Sequence, residues 1–450
     1  MCGIFAYFGN KFTEHQLSNC LPTIKHRGPD FSNYYYKENA FLGHTRLSII
    51  DLESRSNQPY IEDQYLMVFN GEIHNYKELF KEHHLNCSTL SDTEVLLKMY
   101  IKYKERCLKF LNGMFAFVIY NTETKDIFIC RDRLGIKPLY ISDTDKGLLI
   151  CSEINAIQNL INSELDTFSI RQYKKLRMTV KGHTVYEKIK MFPAGKYKLN
   201  NDIKEYWSYN IEKKKAPSDE ELKHLIEDAV KIRTRSDVPL GTYLSGGLDS
   251  TILTYLVQPK HTWTVGFKEL NEFNWGKLAA DDLGSKHHET LVDKETFINV
   301  AKKMIASRKE PLSVPNEVLI YLMTKNVRKK NTVVLSGEGA DELFWGYDRI
   351  FKWANSSYKF SLKEFDKHYC YGSHEDDEVI DTSSSKTMGL HDAAERGDCG
   401  VVKVLLTEGA AQVNQGDPAR GNATALHIAA RAGHLDVAKT LCENGADVNS

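Results

Sequence analysis

Up to about residue 190 the chain alternates short apolar runs with polar turns. FAFVIY (115–120) and DIFIC (126–130) are strand-like and separated by the turn-rich NTETK, which predicts a β-hairpin. SDTEVLLKMYIKYKE (91–105) opens on a Ser-Asp cap signal and continues at helical spacing. This half predicts stacked sheets flanked by helices. A charged stretch with a proline, IEKKKAPSDEE (211–221), reads as a linker, and the rhythm then changes. PLGTYLSGG predicts a buried strand running into a glycine turn, with a helix from Asp249. TWTVGF (262–267) is the next strand, NWGKLAADDLG (274–284) and NEVLIYLMTKNVRKK (316–330) are helices, and NTVVLSGEGADE (331–342) is strand, glycine loop and helix start. Strands alternating with helices predict a parallel α/β sheet.

A third pattern closes the chain. YGSHEDDEVIDTSSSK (371–386) is acidic and serine-rich, the composition of a flexible linker. Beyond it LHDAAERGDCGVVKVLLTEGA (390–410) aligns with LHIAARAGHLDVAKTLCENGA (426–446). His391 matches His427, Gly397 matches Gly433, Leu405 matches Leu441 and Gly409 matches Gly445, each pair offset by 36. The repeat resembles the ankyrin family, whose usual period is about 33 residues, with QVNQGDPARGN carrying a small insertion.

Composition narrows the classes. At 450 residues the chain has room for two or three domains. With 59 Lys and Arg against 60 Asp and Glu, no charge excess points to nucleic acid as a partner. Nine cysteines lie scattered with no CxxC pair, so a zinc ribbon or a disulfide framework is not suggested and a reduced, cytoplasmic setting is expected. No apolar run reaches membrane-spanning length and no signal-peptide pattern opens the chain.

The candidate chemistry begins at MCGIF. Alone, Cys2 is better explained as a packed strand residue than as a nucleophile. A nucleophile there would need a base, which an α-amine freed by removal of Met1 would supply, and donors for a tetrahedral oxyanion. An amino-acid amide as substrate would further need a cation for its α-carboxylate and an anion for its α-amine. HTRLSIID supplies Arg46, FNGEIHNY places Asn70 and Gly71 after a strand, and SDTEV puts Asp92 at a helix start. Each has an ordinary reading as well: a surface ion pair for Arg46, a hairpin turn for Asn70–Gly71, an N-cap for Asp92.

In order along the chain stand MCGIF, KHRGPD (25–30), GHTRLSIID (43–51), NGEIHNY (70–76), SDTEV (91–95), GMFAFVIY (113–120), RDRLGIKPLYI (131–141) and FPAGKY (192–197). Together they resemble the class II glutamine amidotransferases over residues 2–195. The resemblance implies an N-terminal nucleophile hydrolase fold, an αββα sandwich. It also implies that Cys2 attacks the glutamine side-chain amide and releases ammonia, with Asn70 and Gly71 as the oxyanion hole. Arg46 would bind the α-carboxylate and Asp92 the α-amine, with Glu72 and a strand of Leu47, Ser48, Ile49 and Ile50 completing the pocket.

SGGLDS (245–250), after a buried strand and before a helix, has small residues that let backbone N–H groups approach phosphate oxygens. No Lys follows the glycines, so it is not a Walker A loop. It resembles the pyrophosphate loop of ATP pyrophosphatases, with VLSGEGADELFWGY (334–347) as companion. An amidotransferase half followed by these loops, and by EPLSVPNEVLIYLMTK (310–325), resembles the glutamine-hydrolysing asparagine synthetase family. The resemblance implies ATP as substrate, bound by Tyr243, Ser245, Gly246, Gly247, Leu248, Asp249, Ser250, Val265, Gly266, Ser336 and Gly337. It implies Mg2+ held by Asp249 and Asp341, and Glu338 near the acyl carbon, assisting proton transfer from ammonia. Glutamine, aspartate and ATP would be the small-molecule substrates.

The likeness to this family stops near residue 355. The helical segment that follows in the family, with an R-x-P-F-L-D-like stretch and a phosphate-contacting lysine, has no counterpart here, and Trp345 stands where the family usually has glycine. The expected organisation is an amidotransferase domain at 2–195, an incomplete ATP-pyrophosphatase domain at 216–370, a linker at 371–388 and ankyrin-like repeats at 389–450. Two functions remain open: asparagine synthesis, or a glutaminase-only or degenerate synthetase relative whose ankyrin-like tail binds a protein partner. A homodimer is left open; a membrane or nucleic-acid partner is not expected.

Overall fold

Period-two alternation builds two sheets in the first half. The strands are β1 (Gly3–Phe8), β2 (Phe31–Lys37), β3 (Ala40–Arg46), β4 (Tyr60–Glu62), β5 (Tyr65–Ile73), β6 (Gly113–Asn121), β7 (Ile127–Arg131), β8 (Tyr140–Thr144), β9 (Gly147–Cys151), β10 (Lys190–Met191), β11 (Lys196–Leu199) and β12 (Asp202–Glu205). In this computed structural model one sheet runs β10-β8-β9-β1-β3-β2 and the other β12-β11-β7-β6-β5-β4. The described residues are 2–89, 91–210, 216–344, 346–347, 352–354, 356, 390–396, 402, 405–406, 412–417, 423–432 and 434–447.

The layering follows from which residues alternate inward. On β1, Ile4 and Ala6 meet Val68 and Val118 of the other sheet between the layers. Phe5 and Tyr7 point the other way, packing with Leu17 of α1 (Glu14–Ser18) and with Ile154 and Ile157 of α4 (Ile154–Ile161). The outer face of the second sheet, through Phe69, Phe117 and Phe128, is covered by Leu79 of α2 (Tyr76–Glu82) and by Val95, Leu96 and Met99 of α3 (Asp92–Tyr103). Helix, sheet, sheet, helix is the sandwich the sequence predicts. The 115–130 hairpin is present as β6 and β7, paired antiparallel.

The second half continues after α6 (Asp219–Arg233) with β13 (Leu240–Tyr243), α7 (Leu248–Val257), β14 (His261–Phe267), α8 (Phe273–Asp282), β15 (Lys286–Val292), α9 (Lys294–Arg308), α10 (Asn316–Val327), β16 (Val333–Leu335) and α11 (Ala340–Phe344), with α5 (Thr167–Leu176) lying earlier, in the first half. Its four strands, in the order β15-β14-β13-β16, are all parallel. The buried apolar cluster here is small: Trp263, Met323 and Val327. Leu248, Ile252 and Tyr255 of α7 and Trp275 and Leu278 of α8 are exposed, an apolar surface left uncovered among the described residues.

Both halves lie in one unit, Met1–Gly372, and Ser373–Ser450 form a second. In the second unit, helices Leu390–Arg396, Ala425–Ala432 and Leu435–Glu443 bury Ala393, Ala394, Ile428, Ala429, Val437 and Leu441 together. Residues 211–215 of the first proposed linker, the whole of 371–388, Trp345 and the repeat glycines Gly397, Gly409 and Gly433 lie outside the described residues.

Candidate active site

Cys2 stands just before β1, and β3 beside it ends at Arg46. The Leu47 amide approaches Cys2 Sγ at 3.4 Å, and Sγ lies 3.7 Å from the Leu47 carbonyl. Arg27 Nε donates to the Cys2 carbonyl at 3.0 Å, which fixes the backbone of the nucleophile. Burial pushes the thiol up, opposed by the N-terminal charge, the Leu47 amide and Arg46. A thiol so held is protonated at rest and needs a base to attack.

Around it a pocket is lined by Arg46, Leu47, Ile49, Ile50, Asn70, Gly71, Glu72, Asp92 and Lys137, among others. The buried Arg46 guanidinium donates to neutral oxygens: Nη1 to the Glu53 carbonyl at 2.9 Å and to Asn57 Oδ1 at 2.7 Å, and Nη2 to the Asp51 carbonyl. These bonds fix its plane without neutralising it, so its charge stays available to a ligand carboxylate. Asn70 is fully buried, and neither its Nδ2 nor its Oδ1 has a partner. A buried amide left so is costly unless something that visits the pocket completes it. Asp92 opens α3, but the cap is Ser91, whose side chain accepts from the Thr93 amide. The Asp92 carboxylate is thereby spared for the pocket, where Oδ2 accepts from the Ile73 amide at 3.0 Å. Burial, with Glu72 nearby, pushes its pKa up to about 7.

Three expectations need correction. Asn70 and Gly71 do not follow a strand or make a hairpin turn; they lie inside β5, opposite Ala116 and Phe115 of β6. Glycine is required there because a Cβ at position 71 would lie 2.2 Å from the Met114 carbonyl oxygen. Residues 47–50 are not a strand, since β3 ends at Arg46 and an irregular turn follows. Ser48 does not line the pocket; its amide donates to Asp30 Oδ2 at 2.8 Å.

Lys137, Gln58 and Thr93 line the pocket without having been singled out. Burial brings Lys137 down to about 8, with Glu72 and Cys2 opposing. The signal was in RDRLGIKPLYI: Asp132 accepts from the amides of Phe115, Leu134, Ile136 and Lys137, folding that loop so that Lys137 enters the pocket.

A second cleft, of about 720 Å3, opens at the carboxyl ends of β13, β14 and β16, where parallel sheets bind ligands. It gathers Tyr243, Ser245, Gly247, Asp249, Ser250, Val265, Gly266, Ser336, Gly337, Glu338 and Asp341. Ser245 Oγ accepts from the Gly247 amide at 3.2 Å and lies 3.0 Å from Ser250 Oγ, which holds the loop in shape. A Cβ on Gly337 would lie 3.3 Å from the Asp249 side chain, so the two glycine loops meet closely. Gly246 and Leu248, expected at the nucleotide, do not line this cleft. Gly246, at φ +92°, packs its backbone on Trp275, and Leu248 points to solvent because it falls on the outward face of α7.

Family profiles match in the same order: glutamine amidotransferase domain over residues 1–209, asparagine synthase over 221–431 and ankyrin repeat over 421–450. The chain is 35% identical to asparagine synthetase [glutamine-hydrolyzing] 1 of Bacillus subtilis, over 77% of this chain and 59% of that protein. It is 34% identical to putative asparagine synthetase [glutamine-hydrolyzing] 2 of Methanocaldococcus jannaschii, over 77% of this chain and 76% of that one. The chain belongs to the asparagine synthetase family. It spans 59% of the length of the Bacillus relative, so the region shared with that asparagine synthetase is a part of it.

Among the described residues no group of three or more His, Cys, Asp or Glu side chains could hold a metal ion. Asp249 and Asp341 nevertheless face the same cleft, and two carboxylates suit Mg2+, which takes one or two together with substrate phosphates. Among the described residues no helix is long and apolar enough to cross a membrane.

Proposed function

We propose that the chain hydrolyses glutamine at Cys2 and transfers the ammonia to aspartate activated by ATP, giving asparagine, AMP and pyrophosphate. The observation that carries the first step is the fully buried Asn70, with both polar side-chain atoms unpartnered in the pocket of Cys2, Arg46 and Asp92. Cys2 attacks the amide carbon. The oxyanion is met by Asn70 Nδ2 and the Gly71 amide, and ammonia leaves with the proton released by the thiol. Water then cleaves the thioester to glutamate. Arg46 and Asp92 hold the α-carboxylate and α-amine, and Glu72 with the 47–50 turn closes the pocket.

The second cleft supports the ATP step. Ser245, Gly247 and Ser250, which line it, would meet the phosphates, and Val265 and Gly266 the base. Asp249 and Asp341 would hold Mg2+, which when bound offsets the charge of the polyphosphate. Glu338 would take the proton ammonia loses on attacking the acyl carbon. The division into residues 2–195, 216–370, 371–388 and 389–450, and a protein partner for the ankyrin-like unit, belong to the same proposal. So does a cytoplasmic setting, which the free thiols of the described cysteines suit.

A second reading, glutamine hydrolysis alone, is favoured by one observation: Leu248, Trp275, Leu278 and Leu343 leave apolar surface of the ATP half exposed, while Arg46, Asn70 and Asp92 of the glutamine pocket are buried. Purified chain supplied with ammonium, aspartate, ATP and Mg2+ separates the two. AMP and asparagine support synthesis; their absence, with glutamate release from glutamine abolished in Cys2→Ala, supports the glutaminase.

A further inference from the structure

The turn that carries the glutamine pocket is held from the other half of the molecule. Asp237 lies in the short segment between α6 and β13. Its Oδ2 accepts from the Asp51 amide at 2.8 Å, and its own amide donates to the Ile49 carbonyl at 3.0 Å. Asp51 in turn presents its carbonyl to Arg46 Nη2 from a left-handed conformation, φ +49°, which aspartate adopts more readily than most residues. Two hydrogen-bonded steps therefore lead from the Asp237 carboxylate to the guanidinium that faces the pocket.

Two residues earlier, Arg235 Nη1 donates to the His74 carbonyl, and its guanidinium pairs with both carboxylate oxygens of Glu78. His74 follows Ile73, whose amide binds Asp92. One segment thus braces both sides of the pocket: the cation through Asp237 and the anion through Arg235. The same segment is tied to the parallel sheet, since the Pro239 carbonyl accepts from the Thr332 and Val333 amides.

We infer that Asp237 is a positioning residue for the glutamine α-carboxylate, acting through the Ile49–Asp51 turn on Arg46. The inference rests on the glutaminase reading. Asp237 is exposed and outside the core, so its contribution is to geometry more than to stability. A cation displaced by a fraction of an ångström weakens the grip on a ligand that depends on it, while the reacting atoms at Cys2 are untouched.

The test is steady-state glutamate release by the full chain. Asp237→Ala is expected to raise the glutamine KM about five- to tenfold with kcat within about twofold, the signature of lost uniform binding. Asp237→Asn, whose Oδ1 can accept the same amide, is expected to restore most of that affinity. Hydrolysis of 4-aminobutanamide, which lacks the α-carboxylate, is expected to be equal in wild type and Asp237→Ala. The inference is overturned if Asp237→Ala leaves the glutamine KM unchanged, if both amides lose equally, or if Asn serves no better than Ala. Calorimetric glutamine affinity of the same variants reads the same order without turnover. Failure of the unmutated chain to release glutamate would instead overturn the glutaminase reading.

Discussion

The amide of Ile73 donates to Asp92 Oδ2 at 3.0 Å, yet the same carboxyl is pushed up to about 7 by burial, with Glu72 beside it. Backbone amides, that of Ile73 foremost, do not replace the water the carboxylate has lost, and the cation that would do so is the α-ammonium of a bound amino acid. Glutamine should therefore select ionised Asp92. Below pH 7 binding must first remove a proton, so the glutamine KM should rise about tenfold per pH unit as pH falls, and be flat above about pH 8. A pH profile of glutamate release checks this; a KM independent of pH from 6 to 8 would contradict it.

The same shift has a stability consequence. A carboxyl whose pKa is raised on folding opposes the fold at pH above its folded value, and the opposition fades as pH drops toward the unfolded value near 4. Asp92→Asn keeps an acceptor for Ile73 and removes the charge. It should raise the thermal midpoint at pH 8, narrow that gain at pH 5, and still lose glutamine affinity. Thermal melts of wild type and variant at the two pH values decide it.

Arg46 donates to the Glu53 and Asp51 carbonyls and to Asn57 Oδ1, so it is pinned through a planar fork that lysine does not have. Arg46→Lys should raise the glutamine KM by about 10- to 100-fold, as loss of charge-assisted bonds of a few kcal/mol implies. Hydrolysis of an amide without the α-carboxylate should change little. Parallel kinetics on both substrates measure the difference.

Much of this site was legible in order along the chain. Cys2, Arg46 and Asp92 were singled out by the order of their motifs, and they line one pocket because they stand at element edges: just before β1, at the end of β3 and in the first turn of α3. The parallel sheet was legible from strands alternating with helices. What escaped depends on tertiary register. Asn70–Gly71 looks like a turn pair locally, but Phe69 and Ile73 on either side are core residues, and their burial carries the strand straight through. Lys137 depended on how Asp132 gathers three amides of a loop with no periodicity and one, that of Phe115, from β6. Gly246 and Leu248 were placed at the nucleotide by their motif, whereas the helical phase of α7 turns Leu248 to solvent.

Asn70 and Gly71 make the most direct test, because the two neighbours should fail differently. Asn70→Ala removes a donor that has no other partner, so folding should be unaffected or slightly improved by relief of a buried, unpaired amide. Its cost should fall on the transition state: kcat lower by about 10²–10³ with a nearly constant KM. Gly71→Ala brings a methyl group 2.2 Å from the Met114 carbonyl and 2.7 Å from Phe115 Cα, both main-chain atoms of β6 that cannot rotate away. That collision must spread β5 from β6, so Gly71→Ala should lower the thermal midpoint and lose activity together. Melting curves beside the kinetics separate the cases, and an Asn70→Ala protein that melts early, or a Gly71→Ala protein that melts normally, would contradict the placement of this pair inside the strand.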